Sequence, residues 1–461
     1  MNKIKLLLLL CIFCSLFTNA QIPNNISPSD KVYGLSKFWQ EVNYNFVYLD
    51  KVDRALWENR YKELISIVQN TENDYEYYRE LQKFCALLKD GHTNIYFPDY
   101  IEDYISINEF GDYQIFISNI EDKAIITRVN LSKKDEIPLG TEIIEVNGLD
   151  TKDYINKNVI PYISSSTAHV LRDWGAKHLL EAPYGTTFEL KMRLPNNKIK
   201  ILNITCAKSS ERKYFPPFVE QQPLDFKWLK NGIAYVAINT FDNDKVKDLF
   251  IEKVPELKKA RSLIIDIRNN GGGNSSNALN IVDFITNDTI IKLSKSSTRQ
   301  NLSAYKAWGE NLTTNNDSKN NSSWETLSYL AFNDKLMYDI PHNNHLVKKD
   351  VDKIIIPTVV LIGHNTASSA EDFLIYLHNQ KHITTIGEPT FGSTGMPMTF
   401  ELPHEGEARI CTKKDTYPNG DEFVGIGIIP DIKVQRTLND YLKSNDKALK
   451  EAIKYLKLNM Q

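Results

Sequence analysis

The chain has none of the features that mark nucleic-acid-binding or metal-binding proteins. Its 55 lysines and arginines are balanced by 58 aspartates and glutamates, giving a net charge of −3, so there is no basic excess for nucleic acid. After residue 20 no Cys-x-x-Cys spacing occurs, and the sequence contains no His-Glu-x-x-His spacing. His342 and His345 lie in the polar stretch PHNNH, which is typical of a solvated loop. We therefore expect no metal, no other cofactor and no nucleic-acid partner.

Cysteine is also scarce. Of the five cysteines, Cys11 and Cys14 precede a predicted cleavage site, which leaves Cys85, Cys206 and Cys411 in the mature chain. An odd number at wide spacing does not predict a disulfide framework.

Long apolar runs are absent beyond the amino terminus. There, two lysines precede the apolar run 6–17, and a Thr-Asn-Ala triplet ends at Ala20. This order predicts a secretory signal peptide over 1–20, cleaved before Gln21. The run is short for a membrane span, although an uncleaved anchor is the alternative. We expect a secreted or periplasmic mature chain without a membrane span.

The 461 residues suit two or three domains. Apolar periodicity near 3.6 predicts an N-terminal helical segment over 21–104, and short alternating runs predict a β-rich domain over 105–210. From 220 to 436 strands and helices alternate, which favours an α/β core with a mostly parallel sheet. A polar stretch lies in a predicted insertion at about 287–352, and a C-terminal helix is predicted over 437–461.

The stretch LIGHNTASSAEDFLIY, residues 361–376, places two serines between an apolar strand and a predicted helix. Ser368 and Glu371 form the Ser-x-x-Glu pattern of a capping box, and on these residues alone capping is the better interpretation. The same position also suits a nucleophile, because sites of open α/β sheets lie at the carboxyl ends of the strands.

A second candidate element is the glycine-rich sequence RNNGGGN, residues 268–274, which follows another apolar strand. It lacks the lysine and spacing of a phosphate-binding loop. A tight turn is the simpler interpretation. The functional alternative is an oxyanion hole formed by N–H groups of Gly271 or Gly272 together with that of Ser369.

Four blocks, in this order, resemble the carboxy-terminal processing, or tail-specific, serine proteases: LIIDIRNNGGG, TVVLIGHNTASSAEDF, IGEPTFGSTG and GIGIIPDIKV. The resemblance covers about 230–435, and GTEIIEVNG, similar to the end of a PDZ domain, extends it to about 105–207. It implies an α/β multidomain fold in which an N-terminal helical segment and a PDZ-like domain precede a ClpP/crotonase-like core. PDZ-like domains in such proteases bind the carboxyl end of a peptide by strand addition.

The resemblance implies Ser368 as the nucleophile and Ser369 as the residue after it. In the processing branch a lysine in Phe-Gly-Lys-Gly is the general base, but TFGSTG has Ser393 at that position, and a hydroxyl cannot replace the lysine. The branch that resembles the tricorn core protease uses a histidine, and the Gly-His-Thr sequence around His92 is similar to its motif. That branch has a serine before the histidine, where this chain has Gly91.

The resemblance also implies an acid shortly before GIGIIPDI. Glu422 and Asp421 are the candidates, and Glu422 is preferred. The lysines closest in sequence to Ser393 lie in no matching motif and are interpreted as surface charges; they are Lys381, Lys413 and Lys414.

These residues together predict a secreted serine endopeptidase with a Ser368–His92–Glu422 triad. Its substrates would be peptides or proteins selected by the PDZ-like domain. The alternative is a non-catalytic peptide-binding protein on the same fold, motivated by the missing lysine and by Gly91. An α/β-hydrolase-like esterase is a weaker interpretation because no Gly-x-Ser-x-Gly elbow occurs.

Overall fold

The computed structural model describes residues 22–310, 312 and 323–459. The predicted signal peptide and its cleavage site lie outside these residues. Within the described residues, none of the helices combines the length and apolar character needed to cross a membrane.

The N-terminal segment consists of helices that begin at the capping residues typical of helix starts. The side chains of Ser27, Asp53 and Asn73 each accept a backbone N–H from the first turn of the helix that follows. The elements are α1 (Pro28–Asn45), α2 (Arg54–Gln69), α3 (Asp74–Ala86), β1 (Asn94–Tyr96) and α4 (Asp99–Glu102).

The β-rich region follows. Its main sheet has the order β10-β9-β6-β5-β4-β3, with β11 beside β5 and β7 beside β6. One cluster of buried apolar side chains fills it, and α6 packs beside β4. The elements are β2 (Ile105–Ser106), β3 (Glu109–Phe110), β4 (Tyr113–Ile120), β5 (Lys123–Asn130), β6 (Glu142–Val146), β7 (Leu149–Asp150), α5 (Thr151–Asn158), α6 (Ala168–Lys177), β8 (Ala182–Pro183), β9 (Thr187–Arg193), β10 (Ile199–Thr205) and β11 (Tyr214–Phe215).

The first half of the α/β core leads into an insertion. The core elements are β12 (Leu224–Leu229), β13 (Ile233–Ile238), α7 (Lys245–Leu257), β14 (Ser262–Asp266) and α8 (Ser275–Ile285). The insertion elements are β15 (Ile290–Ile291), β16 (Lys295–Arg299), α9 (Ser303–Gly309), α10 (Trp324–Phe332), β17 (Met337–Asp339) and β18 (His345–Leu346). The prediction of a solvated loop is wrong for His345, which lies in β18 with Nε2 at 2.7 Å from the buried Asp283 Oδ1.

The second half of the core completes the sheet. Its elements are β19 (Thr358–Ile362), α11 (Ser369–Tyr376), β20 (Ile383–Gly387), β21 (Pro397–Leu402), β22 (Gly406–Cys411), β23 (Lys414–Thr416), β24 (Ile432–Lys433), α12 (Leu438–Leu442) and α13 (Lys447–Asn459). The six strands have the order β12-β13-β14-β19-β20-β24, and all neighbouring pairs except β12–β13 are parallel.

Both faces of this sheet are buried, which explains the nearly continuous apolar strands. Because side chains alternate between the faces, Ile265 and Val360 pack against α7, α8 and α11. Ile264 and Val359 pack on the other face against the apolar side chains of α13. These layers confirm the predicted α/β multidomain fold class.

Strand β1 joins the N-terminal segment to the core. It pairs antiparallel with β22, with Ile95 opposite Ala408. The buried side chains of α1 to α3 form one cluster with Ala408 and Ile410. His92, two residues before β1, is thereby held against the core.

Candidate active site

Three loops meet at the carboxyl edge of the core sheet. The glycine loop follows β14, the Ser368 turn follows β19, and the 390–393 loop follows β20. Because these strands are parallel neighbours, their following loops lie side by side, where sites of open α/β sheets are found.

Ser368 occupies a strained backbone position at the start of α11. Its φ is 55° and its ψ is −123°, a region that non-glycine residues enter only when the surrounding structure enforces it. Its N–H donates to Oε2 of Glu371 over 3.2 Å, which confirms the predicted capping contact. Capping and an exposed nucleophile position therefore coexist at this turn.

The glycine loop packs directly against that turn. Gly272 has a φ of +100°, and a Cβ at this residue would lie 2.7 Å from Ser368 Cβ and 2.8 Å from the Ala367 carbonyl oxygen. A side chain is therefore excluded here both by backbone conformation and by space. Gly271 is exposed, and a Cβ there would meet nothing within 4 Å.

The three predicted oxyanion donors differ in their hydrogen bonds. The Gly272 N–H donates to Oδ1 of Asn270 over 3.0 Å. The N–H groups of Gly271 and Ser369 have no acceptor within the described part of the chain. The Ser369 hydroxyl donates to the Gly273 carbonyl over 2.5 Å and so ties the turn to the glycine loop. Two of the three N–H groups thus have no competing acceptor.

Glu371 connects the turn to the 390–393 loop. Its fully buried carboxylate accepts the N–H of Ser368, that of Gly392 at 2.8 Å, that of Ser393 at 3.2 Å and the hydroxyl of Thr390. Burial raises the pKa of Glu371 to about 8, against the opposing effect of these donors. The backbone N–H groups of Ser368 and Ser393 both donate to Oε2 of Glu371, so the two serines are close neighbours.

His92 reaches this neighbourhood from the N-terminal segment. Its Nδ1 lies 2.6 Å from Ser393 Oγ, and the Ser393 hydroxyl donates to Oδ1 of Asp90 over 3.4 Å. Asp90 is only 2% exposed and also accepts the hydroxyls of Thr93 at 2.6 Å and Ser166 at 3.3 Å. The structure thus brings together His92, Ser393 and the turn of Ser368, with Asp90 behind Ser393.

Burial of His92 favours its neutral form. Burial lowers the pKa of His92, and the carboxylate of Asp90 opposes that effect. Arg409 and Lys413 lower this pKa further, while Asp415 raises it. A neutral imidazole is the form that can accept a proton.

The predicted acid is not brought to His92. The Glu422 carboxylate is exposed and pairs with Lys51 at 3.1 Å and with Lys414. Hydrogen bonds from Lys414 and Lys51 lower the pKa of Glu422 even though burial opposes them. Asp421 accepts instead from Asn419 at 2.7 Å. Two nearby lysines hold Glu422 at the surface, so the triad of Ser368, His92 and Glu422 is not assembled here.

Sequence reasoning missed Asp90 and gave Ser393 no role. The signal available was the local sequence Asp-Gly-His-Thr, in which Thr93 hydrogen-bonds back to Asp90. The interpretation of Lys413 as a surface charge was also wrong. Lys413 is largely buried and pairs at 2.9 Å with the buried Asp415, which raises the pKa of Lys413 although burial opposes it.

The three cysteines of the described chain, Cys85, Cys206 and Cys411, are free and buried. Over residues 22–310, 312 and 323–459, no group of three or more histidine, cysteine, aspartate or glutamate side chains could hold a metal ion.

Comparison with known proteins identifies the core. Residues 232–434 match the model of peptidase family S41. A chloroplastic carboxyl-terminal-processing peptidase 2 from Arabidopsis thaliana is 20% identical over 395 residues, or 83% of this chain and 65% of the relative. A carboxyl-terminal-processing protease from Picosynechococcus sp. is 22% identical over 86% of this chain and 81% of the relative. The aligned part of this chain thus spans less than two thirds of the Arabidopsis protein.

A solved structure shares the fold. Mature CPAF complexed with lactacystin superposes with a TM-score of 0.67 at 16% identity, covering 94% of this chain and 98% of that one. The segment matched by the family model contains the glycine loop, the turn at Ser368 and the 390–393 loop. Through residues 232–434 the chain is similar to peptidase family S41, and the relatives reported above are a carboxyl-terminal-processing peptidase and a carboxyl-terminal-processing protease.

Proposed function

We propose that this protein is a secreted serine endopeptidase in which Ser368 is the nucleophile and His92 is its general base. The observation that carries the proposal is the contact of His92 Nδ1 with Ser393 Oγ at 2.6 Å. The backbone N–H of Ser393 donates to the same Glu371 oxygen as that of Ser368. Because His92 contacts Ser393, this arrangement holds the histidine beside the candidate nucleophile.

The tautomer that supports catalysis follows from these contacts. When Nδ1 of His92 is protonated, it donates to Ser393 Oγ, whose own proton points to Asp90 Oδ1. Nε2 is then the free acceptor. Asp90 takes the part of the acid that we had predicted for Glu422, acting through a hydroxyl instead of by direct contact.

The reaction proceeds as acyl transfer in two steps. Nε2 of His92 removes the proton from Ser368 as Oγ attacks the carbonyl carbon of the scissile bond. The N–H groups of Gly271 and Ser369 stabilise the oxyanion. The imidazolium returns its proton to the amine as the carbon–nitrogen bond breaks. Water, deprotonated by Nε2 of His92, then attacks the acyl carbon; the ester bond to Ser368 Oγ breaks, the acid product leaves, and the imidazolium returns its proton to Oγ.

Peptide selection by the β-rich region is part of the proposal. Strand β4 pairs with β3 only at Tyr113 and Gln114. Its later residues, 116–120, have no strand partner on that side within the described chain, and α6 packs beside β4. This open edge beside a helix suits strand addition by an extended peptide. Secretion is supported by the composition of residues 1–20 alone.

Active-site labelling tests the chemistry. A fluorophosphonate probe should attach to the purified mature chain at Ser368, identified by mass spectrometry of the labelled peptide. Labelling should be lost in Ser368→Ala and strongly slowed in His92→Ala. Ser276→Ala is the matched control, because it removes an exposed hydroxyl on α8 and leaves the proposed nucleophile and oxyanion donors unchanged.

The result that contradicts the proposal is equally definite. If the wild-type chain binds peptides and is neither labelled at Ser368 nor able to release a cleaved product, it is a peptide-binding protein on a peptidase fold.

A further inference from the structure

A buried carboxyl group lies in the first turn of α11, the helix that begins directly after Ser368. Asp372 is only 7% exposed, and both hydrogen-bond partners of its side chain are serines. Ser294 donates to Oδ1 over 2.9 Å, and Ser275 Oγ lies 2.9 Å from Oδ2. Ser294 belongs to the insertion and Ser275 is the first residue of α8. Asp372 thus joins three separate segments through uncharged partners.

A continuous chain of contacts leads from this carboxyl group to the proposed oxyanion hole. Ser275 Oγ lies 3.0 Å from Ser369 Oγ, and Ser369 Oγ lies 2.5 Å from the Gly273 carbonyl oxygen. Ser369 supplies one proposed oxyanion donor, and Gly273 belongs to the glycine loop that supplies the other. The chain of contacts therefore fixes the turn and the loop, and with them the two donors, relative to each other.

The number of protons available to this chain limits how it can be hydrogen-bonded. Its four contacts are Ser294–Asp372, Asp372–Ser275, Ser275–Ser369 and Ser369–Gly273. A serine hydroxyl carries one proton and a carbonyl carries none, so the three serines supply one proton fewer than the contacts need. All four contacts are hydrogen bonds only when Asp372 is protonated and donates to Ser275.

The charges around Asp372 are compatible with a neutral carboxyl group. Burial raises the pKa of Asp372, and the nearby Asp415 raises it further. Lys413 and the two serine hydroxyls oppose this effect, but Lys413 is itself paired with Asp415 at 2.9 Å. Tyr376, one turn further along α11, also faces Asp372. Burial raises the pKa of Tyr376, so this residue is an uncharged phenol.

We infer that Asp372 is a positioning residue that acts as a neutral carboxylic acid. It donates to Ser275, Ser275 donates to Ser369, and the Ser369 hydroxyl donates to the glycine loop. An ionised Asp372 would accept the Ser275 proton and leave two oxygen atoms facing each other between Ser275 and Ser369, which would separate the turn from the loop. This inference rests on the proposed peptidase function and extends it to the residues that hold the oxyanion donors in place.

Two substitutions of Asp372 separate hydrogen-bond donation from charge. Asp372→Leu should lower kcat for peptide cleavage by about 10- to 100-fold with little change in KM, because removing an oxyanion donor costs about 10²–10³-fold and here the donors are only displaced. Asp372→Asn should recover most of that loss. The asparagine amide can donate to Ser275 while its carbonyl accepts from Ser294.

A substitution one step along the chain has its own matched control. Ser275→Ala should lower kcat by about as much as Asp372→Leu, since it interrupts the same chain of hydrogen bonds. Ser276→Ala removes the neighbouring hydroxyl, which is exposed on α8, and should leave kcat unchanged.

Infrared spectroscopy detects the proton on Asp372 directly. The C=O stretch of a protonated carboxyl group is separate from the amide and carboxylate bands. The difference spectrum between the wild-type chain and Asp372→Asn at neutral pH should therefore show such a band. Asp248→Asn makes the same change at an exposed aspartate of α7 and should show none.

Four results would overturn the inference: no protonated-carboxyl band from Asp372, equal losses of kcat in Asp372→Leu and Asp372→Asn, a loss confined to KM, or an unchanged kcat in Ser275→Ala. If Asp372→Leu does not fold, Ser275→Ala and the infrared spectrum still decide. Failure of the peptidase proposal looks different, because then the wild-type chain cleaves no peptide and is not labelled at Ser368, while the infrared band still reports the protonation of Asp372.

Discussion

Two histidines near the core sheet have opposite electrostatic environments. His92 has a hydroxyl, Ser393 Oγ, at 2.6 Å from Nδ1, and burial lowers its pKa. His364 has a carboxylate, Asp173 Oδ2, at 2.6 Å from Nδ1. Burial also opposes charge on His364, but the hydrogen bond and negative charge of Asp173 prevail and raise its pKa. A hydroxyl placed between the histidine and the carboxylate leaves the imidazole neutral and able to act as a base, whereas direct contact with a carboxylate favours the protonated imidazolium.

Distance along the chain alone favours His364 over His92 as the partner of Ser368. His364 precedes Ser368 by four residues, yet its Nδ1 is bound to α6 of the β-rich region. Its Nε2 lies 3.9 Å from Glu388, and its ring lies 4.6 Å from that of His169. These contacts make His364 a link between the β-rich region and the core. His92 comes from a remote segment and has the protonation state that a base needs.

The largest expected effect is a loss of kcat/KM that distinguishes His92 from His364. His92→Gln should lower kcat/KM by about 10³-fold, because a positioned general base contributes about 10²–10⁴-fold. His364→Gln should lower it by less than about tenfold. Steady-state kinetics on one peptide checks both variants. Equal losses of kcat/KM in the two variants would mean that the different environments of His92 and His364 do not lead to different roles in catalysis.

The next largest loss of kcat/KM is expected for Asp90, the acid that contacts His92 through Ser393. Asp90→Asn should reduce kcat/KM by about 10²-fold, since the imidazolium loses the charge that stabilises it. Glu422→Gln should change kcat/KM by less than about twofold, because Glu422 forms exposed ion pairs with Lys51 and Lys414, and such pairs contribute little. The reverse order of the two losses would restore Glu422 as the functional acid.

The pH dependence of kcat/KM gives a smaller but more specific signal. The rate should fall as His92 becomes protonated, at a pH below the usual histidine pKa of about 6.5, because burial lowers the pKa of His92. Asp90→Asn should move this acid limb to still lower pH, since Asp90 raises the pKa of His92. Asp173→Asn should leave the limb in place. A limb unmoved by Asp90→Asn would show that Asp90 does not act through His92.

The fold was predictable because its signals are local and repeated. Apolar strands such as 262–266 and 358–362, each followed by a turn and a helix, predict a parallel sheet without any information about distant contacts. The capping contact of Ser368 with Glu371 was predictable for the same reason, since both residues lie in one helical turn.

The support around His92 could not be predicted in this way. It depends on the pairing of β1 with β22, which brings Asp90 and His92 to Ser393, a residue from the far end of the chain. Glu422 has a suitable sequence position, but its charge is satisfied by Lys51 and Lys414. No local pattern specifies which of several carboxylates a remote strand will bring to a histidine.

The smallest expected effect tests His364 as a pH-dependent link. Its folded pKa is raised above its unfolded value, so the ion pair with Asp173 stabilises the fold fully below about pH 6.5 and loses that contribution as pH rises through the folded pKa. Asp173→Asn should therefore lower the free energy of unfolding by about 1 kcal/mol at low pH and by little at alkaline pH. Urea midpoints at the two pH values measure the difference. An equal loss at both would mean that Asp173 contributes by packing alone, and that His364 is as neutral as His92.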